Sequence, residues 1–167
     1  MSLTSAVPGA IDALVSALQG DPQLSTVDVI DGPLLDWDSM RPAAGQRGDG
    51  RRWLVIGAQP DDEDTASQGE QTWGATGSGV AHSRDETFAI FCTAVGFDGG
   101  QDVRALRVAV FDMLARVELI LRSDPSIGGA VLYSRFGGVT ELRQAASTKG
   151  ITVDALFNVQ CRAYLTA

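Results

Sequence analysis

The sequence predicts a single α+β domain in which two helices pack on one face of a largely antiparallel sheet. Apolar residues recur at a helical period within residues 7–19 and 101–123. Over residues 151–165 they alternate with polar residues, which is the pattern of a long antiparallel strand with one buried face. The chain has 167 residues, the size of one domain, and we expect residues 1–167 to form it.

The first helix is predicted from Val7 to Gln19. Pro8 suits its first turn, because the N–H that proline lacks has no helical partner there. The apolar face repeats at i, i+3, i+4 and i+7 through Ile11, Leu14, Val15 and Leu18. Gly20-Asp21-Pro22 ends the helix, and a short strand is expected from Thr26 to Ile30.

Two loop insertions are expected around a buried strand. Glycine and proline punctuate residues 34–50, which predicts the first insertion. Arg52 to Gly57 follows as a dense apolar strand suited to burial on both faces. The second insertion, near residues 58–84, is expected to hold an acidic surface loop that continues to Glu70. A strand should begin near Gln71 and lead into a glycine-rich turn.

A long strand and the main helix come next. Residues alternate between two strand faces from Asp85 to Val95, and Gly96 to Gly100 is expected to end the strand. The main helix is predicted over residues 101–123. Asp102 lies at its start, where an acid favours the positive end of the helix dipole, and Asp124-Pro125 ends it.

The main helix is apolar over more than half of its circumference. One stripe consists of Val103, Leu106, Val110, Leu114, Val117 and Leu121. A second group widens it and consists of Val108, Phe111, Ala115 and Leu119. One sheet covers only part of so wide a surface, so we predict a second packing partner, either the first helix or another subunit.

Three strands are predicted after the main helix. Ala130–Phe136 and Val139–Ala145 flank Gly137-Gly138, which is a hairpin signal. The final strand, residues 151–165, would span roughly 50 Å at ~3.3 Å per residue. Because that exceeds what a small domain needs, we expect one end to project or to pair with a neighbour. The predicted order is α-β-loop-β-β-β-α-β-β-β.

The chain is acidic, with 21 acidic and 13 basic side chains and a net charge of −8. Such a surface repels phosphate backbones, which argues against a nucleic-acid-binding groove. One interpretation is that the charge serves solubility alone. A sharper hypothesis is that like charge lines a channel through which DNA slides without sticking.

Cys92 and Cys161 lie in apolar strand patterns and are expected to be buried free thiols. Whether they lie close together depends on which strands are neighbours. The first residues lack the pattern of a signal peptide, and no apolar run approaches the ~20 residues of a membrane span. We therefore expect a soluble protein that is neither exported nor bound to a membrane.

The sequence does not predict an enzyme. Its one histidine, His82, would need Ser78 or Ser83 and Asp85 for a triad, but residues so close on a loop rarely reach triad geometry. The G-x-S-x-G elbow is also absent. An exposed loop histidine is therefore the favoured interpretation.

No metal or cofactor is expected either. The consecutive acids Asp61, Asp62, Glu63 and Asp64 lack the alternating spacing of a calcium loop, so a solvated acidic loop is predicted. Gly77 and Gly79 lack the third glycine of a dinucleotide fingerprint.

Two groups of side chains are candidates for contacts between subunits. Trp37 and Trp73 lie in glycine-rich, otherwise polar stretches, as loop anchors or as interface hot spots. The polar face of the main helix carries acids and the basic residues Arg104, Arg107, Arg116 and Arg122. These arginines form either a solvated face or salt bridges across a subunit interface.

The succession of elements resembles a known family. It runs from Ile11-Asp12-Ala13-Leu14 through Val27-Asp28-Val29-Ile30-Asp31-Gly32-Pro33 and Trp53-Leu54-Val55-Ile56-Gly57. It continues with Asp85-Glu86-Thr87-Phe88, the main helix and Phe157-Asn158-Val159-Gln160-Cys161. This layout, over residues 7–165, is similar to the tail-terminator or minor tail proteins of long-tailed phages that infect actinobacteria. Residues 34–50 form a longer loop than that family leads us to expect.

The resemblance implies an α+β structural protein of the virion. Its subunits would form a homohexameric ring on the finished tail tube, stop tail polymerisation and join the tail to head-completion proteins. The implied partners are further copies of the chain, the tail-tube protein and a head-completion or connector protein, with DNA only as passing cargo. The protein would be assembled in the host cytoplasm and lie at the head–tail junction. The acidic run from Asp61 to Asp64 is compatible with this role, under the hypothesis that it faces a DNA conduit.

Two alternatives stay open. A neighbouring head–tail connector or stopper protein satisfies the same physical pattern, and it also predicts an oligomer. A small-ligand or regulatory module, with residues 77–83 as its lid, predicts a stable monomer with a closed apolar pocket.

Overall fold

A computed structural model of the protein describes residues 4–33, 50–60, 65–73, 83–100 and 102–166. The two helices are α1 (Val7–Gln19) and α2 (Val103–Ser123), and a short 3₁₀ turn follows α1 at Pro22–Leu24. The strands are β1 (Asp28–Asp31), β2 (Arg51–Ile56), β3 (Ser67–Trp73), β4 (Ser83–Asp98), β5 (Tyr133–Ser147) and β6 (Gly150–Thr166).

The six strands form one sheet in the order β1-β2-β4-β6-β5, and β3 pairs with β4 beyond the end of β2. β1 and β2 are parallel, whereas the other pairings are antiparallel. The predicted α+β class with a largely antiparallel sheet is therefore confirmed.

Both helices pack on the same face of the sheet, as predicted. Along β4 this face carries Phe88, Ile90, Cys92 and Ala94, which belong to one buried cluster. The cluster includes Leu14 and Leu18 of α1 together with Val110 and Val117 of α2. The opposite face has a smaller buried cluster that contains Trp53, Val55, Ala58, Val95 and Phe97. Since Leu54 and Ile56 lie in the larger cluster, the predicted burial of β2 on both faces is confirmed.

The expected break after Val95 is wrong, because β4 continues through Gly96 to Asp98. A Cβ atom at position 96 would lie 2.7 Å from Val110 Cγ2 and 2.9 Å from Leu106 Cδ1. The glycine therefore lets α2 approach the sheet closely, and it does not end the strand.

The predicted hairpin at Gly137-Gly138 is also wrong. β5 is one strand through this point, with register shifts between Phe136 and Val139 and between Val139 and Glu141. Gly138 has a φ of +101°, and a glycine pair of this kind accommodates a bulge as readily as a turn. The hairpin lies later, between Ser147 and Gly150, so one strand fewer follows α2 than predicted.

The long strands β4 and β6 pair with each other from Ser83 and Thr166 to Asp98 and Ile151. The predicted length of the last strand is thus confirmed, but neither end of it projects alone, because β4 pairs with it from Ile151 to Thr166. The expected loop up to Glu70 is wrong, since Ser67–Trp73 forms the edge strand β3. That strand is polar and largely exposed, so it lacks the apolar alternation by which strands are recognised.

Candidate functional site

The helix α2 has an apolar surface on two sides. Its buried side consists of Leu106, Val110, Met113, Leu114, Val117 and Leu121. On the other side Val108 is 54% exposed, Phe111 41% and Leu119 51%, and Ala115 between them is also exposed. At 100° per residue these four positions lie roughly 150° around the helix from the buried row. We call Val108, Phe111, Ala115 and Leu119 the α2 stripe.

The α2 stripe is the second apolar group that the sequence predicts on the main helix. A helix on the surface of a monomeric domain normally turns polar residues outward, opposite its buried face. The first helix packs beside α2 in the same core but leaves the stripe exposed. Contiguous exposed apolar surface of this kind is typical of protein interaction sites.

Charged side chains lie at both ends of the α2 stripe. Arg104 is exposed one turn before Val108. Near the other end Glu118 accepts a 2.6 Å hydrogen bond from Arg122, one turn further along the helix. The exposed side of α2 therefore carries an apolar row with charges of both signs at its ends and the exposed Asp112 along one edge.

Two of the candidate interface arginines form hydrogen bonds within the chain. Arg116 donates two hydrogen bonds, of 3.0 and 2.5 Å, to the Asp21 carboxylate after α1. The hydrogen bond from Arg116 lowers the pKa of Asp21. Arg107 donates a 3.2 Å hydrogen bond to Gln144 on β5. By helix geometry Arg104 lies within about 20° of Phe111 around the helix, so it borders the start of the stripe, whereas Arg116 lies on another side of α2.

A second exposed surface lies on the face of the sheet away from the helices. Tyr133 of β5 is directly opposite Arg162 of β6, and Tyr164 follows on the same face of β6. Both tyrosines are exposed, Tyr164 by 57% and Tyr133 by 50%. On the same face, Arg162 donates a 2.9 Å hydrogen bond to Asp85 of β4. We call Tyr133 and Tyr164 the tyrosine patch.

The tyrosine patch is not predicted from the sequence. The available signal was Tyr164, an aromatic residue at a position where the alternation of β6 requires a polar one. Tyr133 gave no such signal, since its position opposite Arg162 depends on which strands pair.

Trp73, the predicted loop anchor or hot spot, ends β3 and is exposed. The Arg84 guanidinium lies 5.0 Å from the centre of its ring, in a cation–π contact. It is therefore not folded back on the core. The other predicted positions, Trp37 and Asp61 to Asp64, lie outside the described residues, as do His82 and Ser78.

One buried carboxylate looks like a functional group but has a structural role. Glu86 of β4 is 4% exposed and accepts hydrogen bonds of 2.6 Å from the Ala6 N–H, 2.6 Å from the Ser5 hydroxyl and 2.7 Å from the Gln71 amide. Burial raises the pKa of Glu86, but these hydrogen bonds outweigh it and hold the pKa below its usual value. The carboxylate caps α1.

Cys92 and Cys161 are both free and buried, as the sequence predicts. They lie on the helix-facing side of the neighbouring strands β4 and β6, opposite Phe157 and Phe88 respectively. Burial raises the pKa of each thiol to about 12, so neither forms a reactive thiolate near neutral pH.

The described residues contain no group of three or more histidine, cysteine, aspartate or glutamate side chains that could hold a metal ion. A cavity of about 600 Å³ lies at the start of α2, between Gly99 and Thr148. None of its lining residues is titratable. Within the residues that the structure describes, neither helix combines the length and hydropathy needed to cross a membrane.

No protein-family profile matches the sequence, and no curated protein matches it.

Proposed function

We propose that this protein is a structural subunit of a long-tailed phage that forms a ring on the finished tail tube. In this role it stops tail polymerisation and presents a surface to the head-completion proteins. The observation that carries the proposal is the α2 stripe, an apolar surface that the folded chain leaves exposed. The kind of assembly is proposed from the succession of elements along the sequence, which resembles that of the tail-terminator family.

The placement of the exposed surfaces supports a ring. A closed ring needs two different surfaces on each subunit, because each copy contacts the next head to tail. The α2 stripe lies on the helix side of the subunit, and the tyrosine patch lies on the opposite face of the sheet. Aromatic residues such as Phe111, Tyr133 and Tyr164 are also the types enriched at the centres of interfaces.

The charge of the chain supports a role at a DNA conduit. A net charge of −8 opposes binding of the phosphate backbone, so DNA would pass such a ring without being held. The acidic run from Asp61 to Asp64 is the segment that we propose faces the conduit.

The test is assembly with a tail-tube protein of the proposed phage. Tail-tube protein is polymerised with and without the purified chain, and tube ends are imaged by electron microscopy. We expect ring-shaped caps at one end and shorter tubes. Uncapped tubes of unchanged length would contradict the proposal.

A separate variant tests whether the acidic run faces the conduit. Replacing Asp61 to Asp64 by their amide counterparts should leave the ring intact and alter DNA passage. If the ring is lost instead, this segment is an interface and the conduit hypothesis is wrong.

A further inference from the structure

We propose that free subunits pair through α2, with the helix of a second copy running antiparallel about a two-fold axis at Phe111. The occupant of the α2 stripe before ring assembly is then another α2 stripe. This pairing depends on the proposed function only for its purpose, which is to cover the stripe until the ring forms.

The charges at the borders of the stripe select this occupant. Arg104 and Glu118 lie seven residues before and seven residues after Phe111. Seven residues are close to two helical turns, about 10.5 Å along the axis, so both lie on nearly the same side of the helix as Phe111. An antiparallel copy centred on Phe111 therefore places Arg104 opposite Glu118 of the second copy, and Glu118 opposite Arg104.

A parallel arrangement of the two α2 helices is unfavourable. A parallel pair in the same register brings Arg104 against Arg104 and Glu118 against Glu118, and like charges so placed repel. The antiparallel arrangement gives two ion pairs, one at each end of the apolar centre. Charge complementarity thus fixes both the direction and the register.

The apolar side chains of the two α2 stripes are complementary in this register. Phe111 meets Phe111 of the second copy at the axis, where two aromatic rings can stack. Val108 lies near Ala115 of the second copy, and the small side chain of Ala115 leaves room for the facing helix. Leu119 lies near the apolar stem of Arg104.

Contacts within each chain do not prevent the pairing. Arg122 donates to Glu118, but both side chains are exposed, and an exposed pair of this spacing is weak enough to be exchanged. Arg116 binds Asp21 on a side of α2 away from the stripe. Arg107, whose hydrogen bond to Gln144 is exposed, lies opposite the uncharged Ala115 of the second copy in this register. Arg104 is the arginine that lies opposite Glu118 of the second copy.

The pair should be weak and reversible. A stable specific interface buries about 800 Å² on each partner, and a few turns of one helix bury less. We expect dimers at tens of micromolar and above, in competition with ring contacts made by the same stripe.

A charge-reversal cycle tests the pairing by sedimentation velocity of the full chain. Arg104→Glu and Glu118→Arg should each raise the dimer dissociation constant at least tenfold, and the double variant should restore it to within about threefold. Lys149→Glu, an equal charge change in the turn between β5 and β6, should have no effect. A double variant as weak as the single ones would overturn the antiparallel register.

Cross-linking tests the axis separately. Phe111→Cys should form a covalent dimer on mild oxidation, because residues on a two-fold axis meet their own copies. Arg122→Cys is equally accessible but lies about three turns from the axis, so it should not cross-link. Capped tubes formed with the wild-type chain, but no cross-link in Phe111→Cys, would reject the dimer and keep the proposed function. A cross-link in Phe111→Cys, but no capped tubes with the wild-type chain, would keep the dimer and reject the proposed function.

Discussion

The carboxylate of Glu86 accepts a 2.6 Å hydrogen bond from the backbone N–H of Ala6, 80 residues earlier in the chain. Ala6 is the N-cap of α1 and has no side-chain oxygen to satisfy the first helical N–H groups. A strand of the sheet therefore supplies the cap, and the negative charge also favours the positive end of the helix dipole. This contact fixes the start of α1 on β4.

Removing the cap should weaken the fold. Glu86→Ala leaves the Ala6 N–H and the Ser5 hydroxyl without their acceptor, so we expect a loss of about 1–3 kcal/mol in the free energy of unfolding. Urea denaturation measures it. Glu70→Gln, an exposed change on the neighbouring strand β3, should alter stability by no more than about 0.5 kcal/mol. Equal effects of both changes would mean that Glu86 is not a cap.

The protein should lose stability in acid. The hydrogen bond from Arg116 holds the pKa of Asp21 below its usual value. Burial raises the pKa of Glu86, but the hydrogen bonds to the carboxylate lower this pKa by more than burial raises it. Carboxyls of this kind bind fewer protons in the folded state, so their stabilisation is present above the unfolded pKa of about 4 and is lost as pH falls.

Thermal denaturation between about pH 7 and pH 3 measures this loss. The melting temperature should fall below about pH 5, and Glu86→Gln should reduce the dependence on pH because one of the carboxyls is gone. A melting temperature that rises in acid would show that the signs assigned to these groups are wrong.

Gly96 should be required for the packing of α2. In Gly96→Ala the new methyl group meets Val110 and Leu106 at distances under 3 Å, so we expect a loss of about 1–3 kcal/mol. Gly9→Ala is the matched control, since nothing lies within 4 Å of a Cβ at this exposed position in α1. That change should stabilise the protein by up to about 1 kcal/mol. Similar losses for both glycines would contradict the packing argument.

The adjacent residues Val110 and Phe111 should respond differently to truncation. Val110 is fully buried, so Val110→Ala should cost about 2 kcal/mol. Phe111 is exposed, so Phe111→Ser should change the stability of the monomer by no more than about 0.5 kcal/mol. Urea denaturation at low protein concentration distinguishes them. A large loss for Phe111→Ser would mean that the α2 stripe belongs to the fold of the single chain.

The sequence predicted the elements whose period is unbroken. α1 was predicted with its bounds, and the last strand within a residue of both ends, because their apolar spacing is regular and glycine or proline lies beside them. The errors at Gly96 and Gly137 have one cause. Glycine permits a turn, a bulge or a close approach of another element, and only the packing decides which of these occurs.

The interaction surfaces were predictable in part. The excess apolar width of α2 is a property of its own sequence, so the α2 stripe could be identified in advance. The tyrosine patch could not, because Tyr133 and Tyr164 come together only through the pairing of β5 with β6. The binding of Arg116 to Asp21 likewise depends on how α1 and α2 pack.

Native mass spectrometry of the chain mixed with a tail-tube protein of the proposed phage tests whether the α2 stripe is an assembly surface, with the wild type compared with Phe111→Asp. We expect a ring-sized oligomer for the wild type and only small species for Phe111→Asp, which should keep the wild-type melting temperature when measured as a monomer. A ring that forms equally well with Phe111→Asp would mean that the α2 stripe is not an assembly surface.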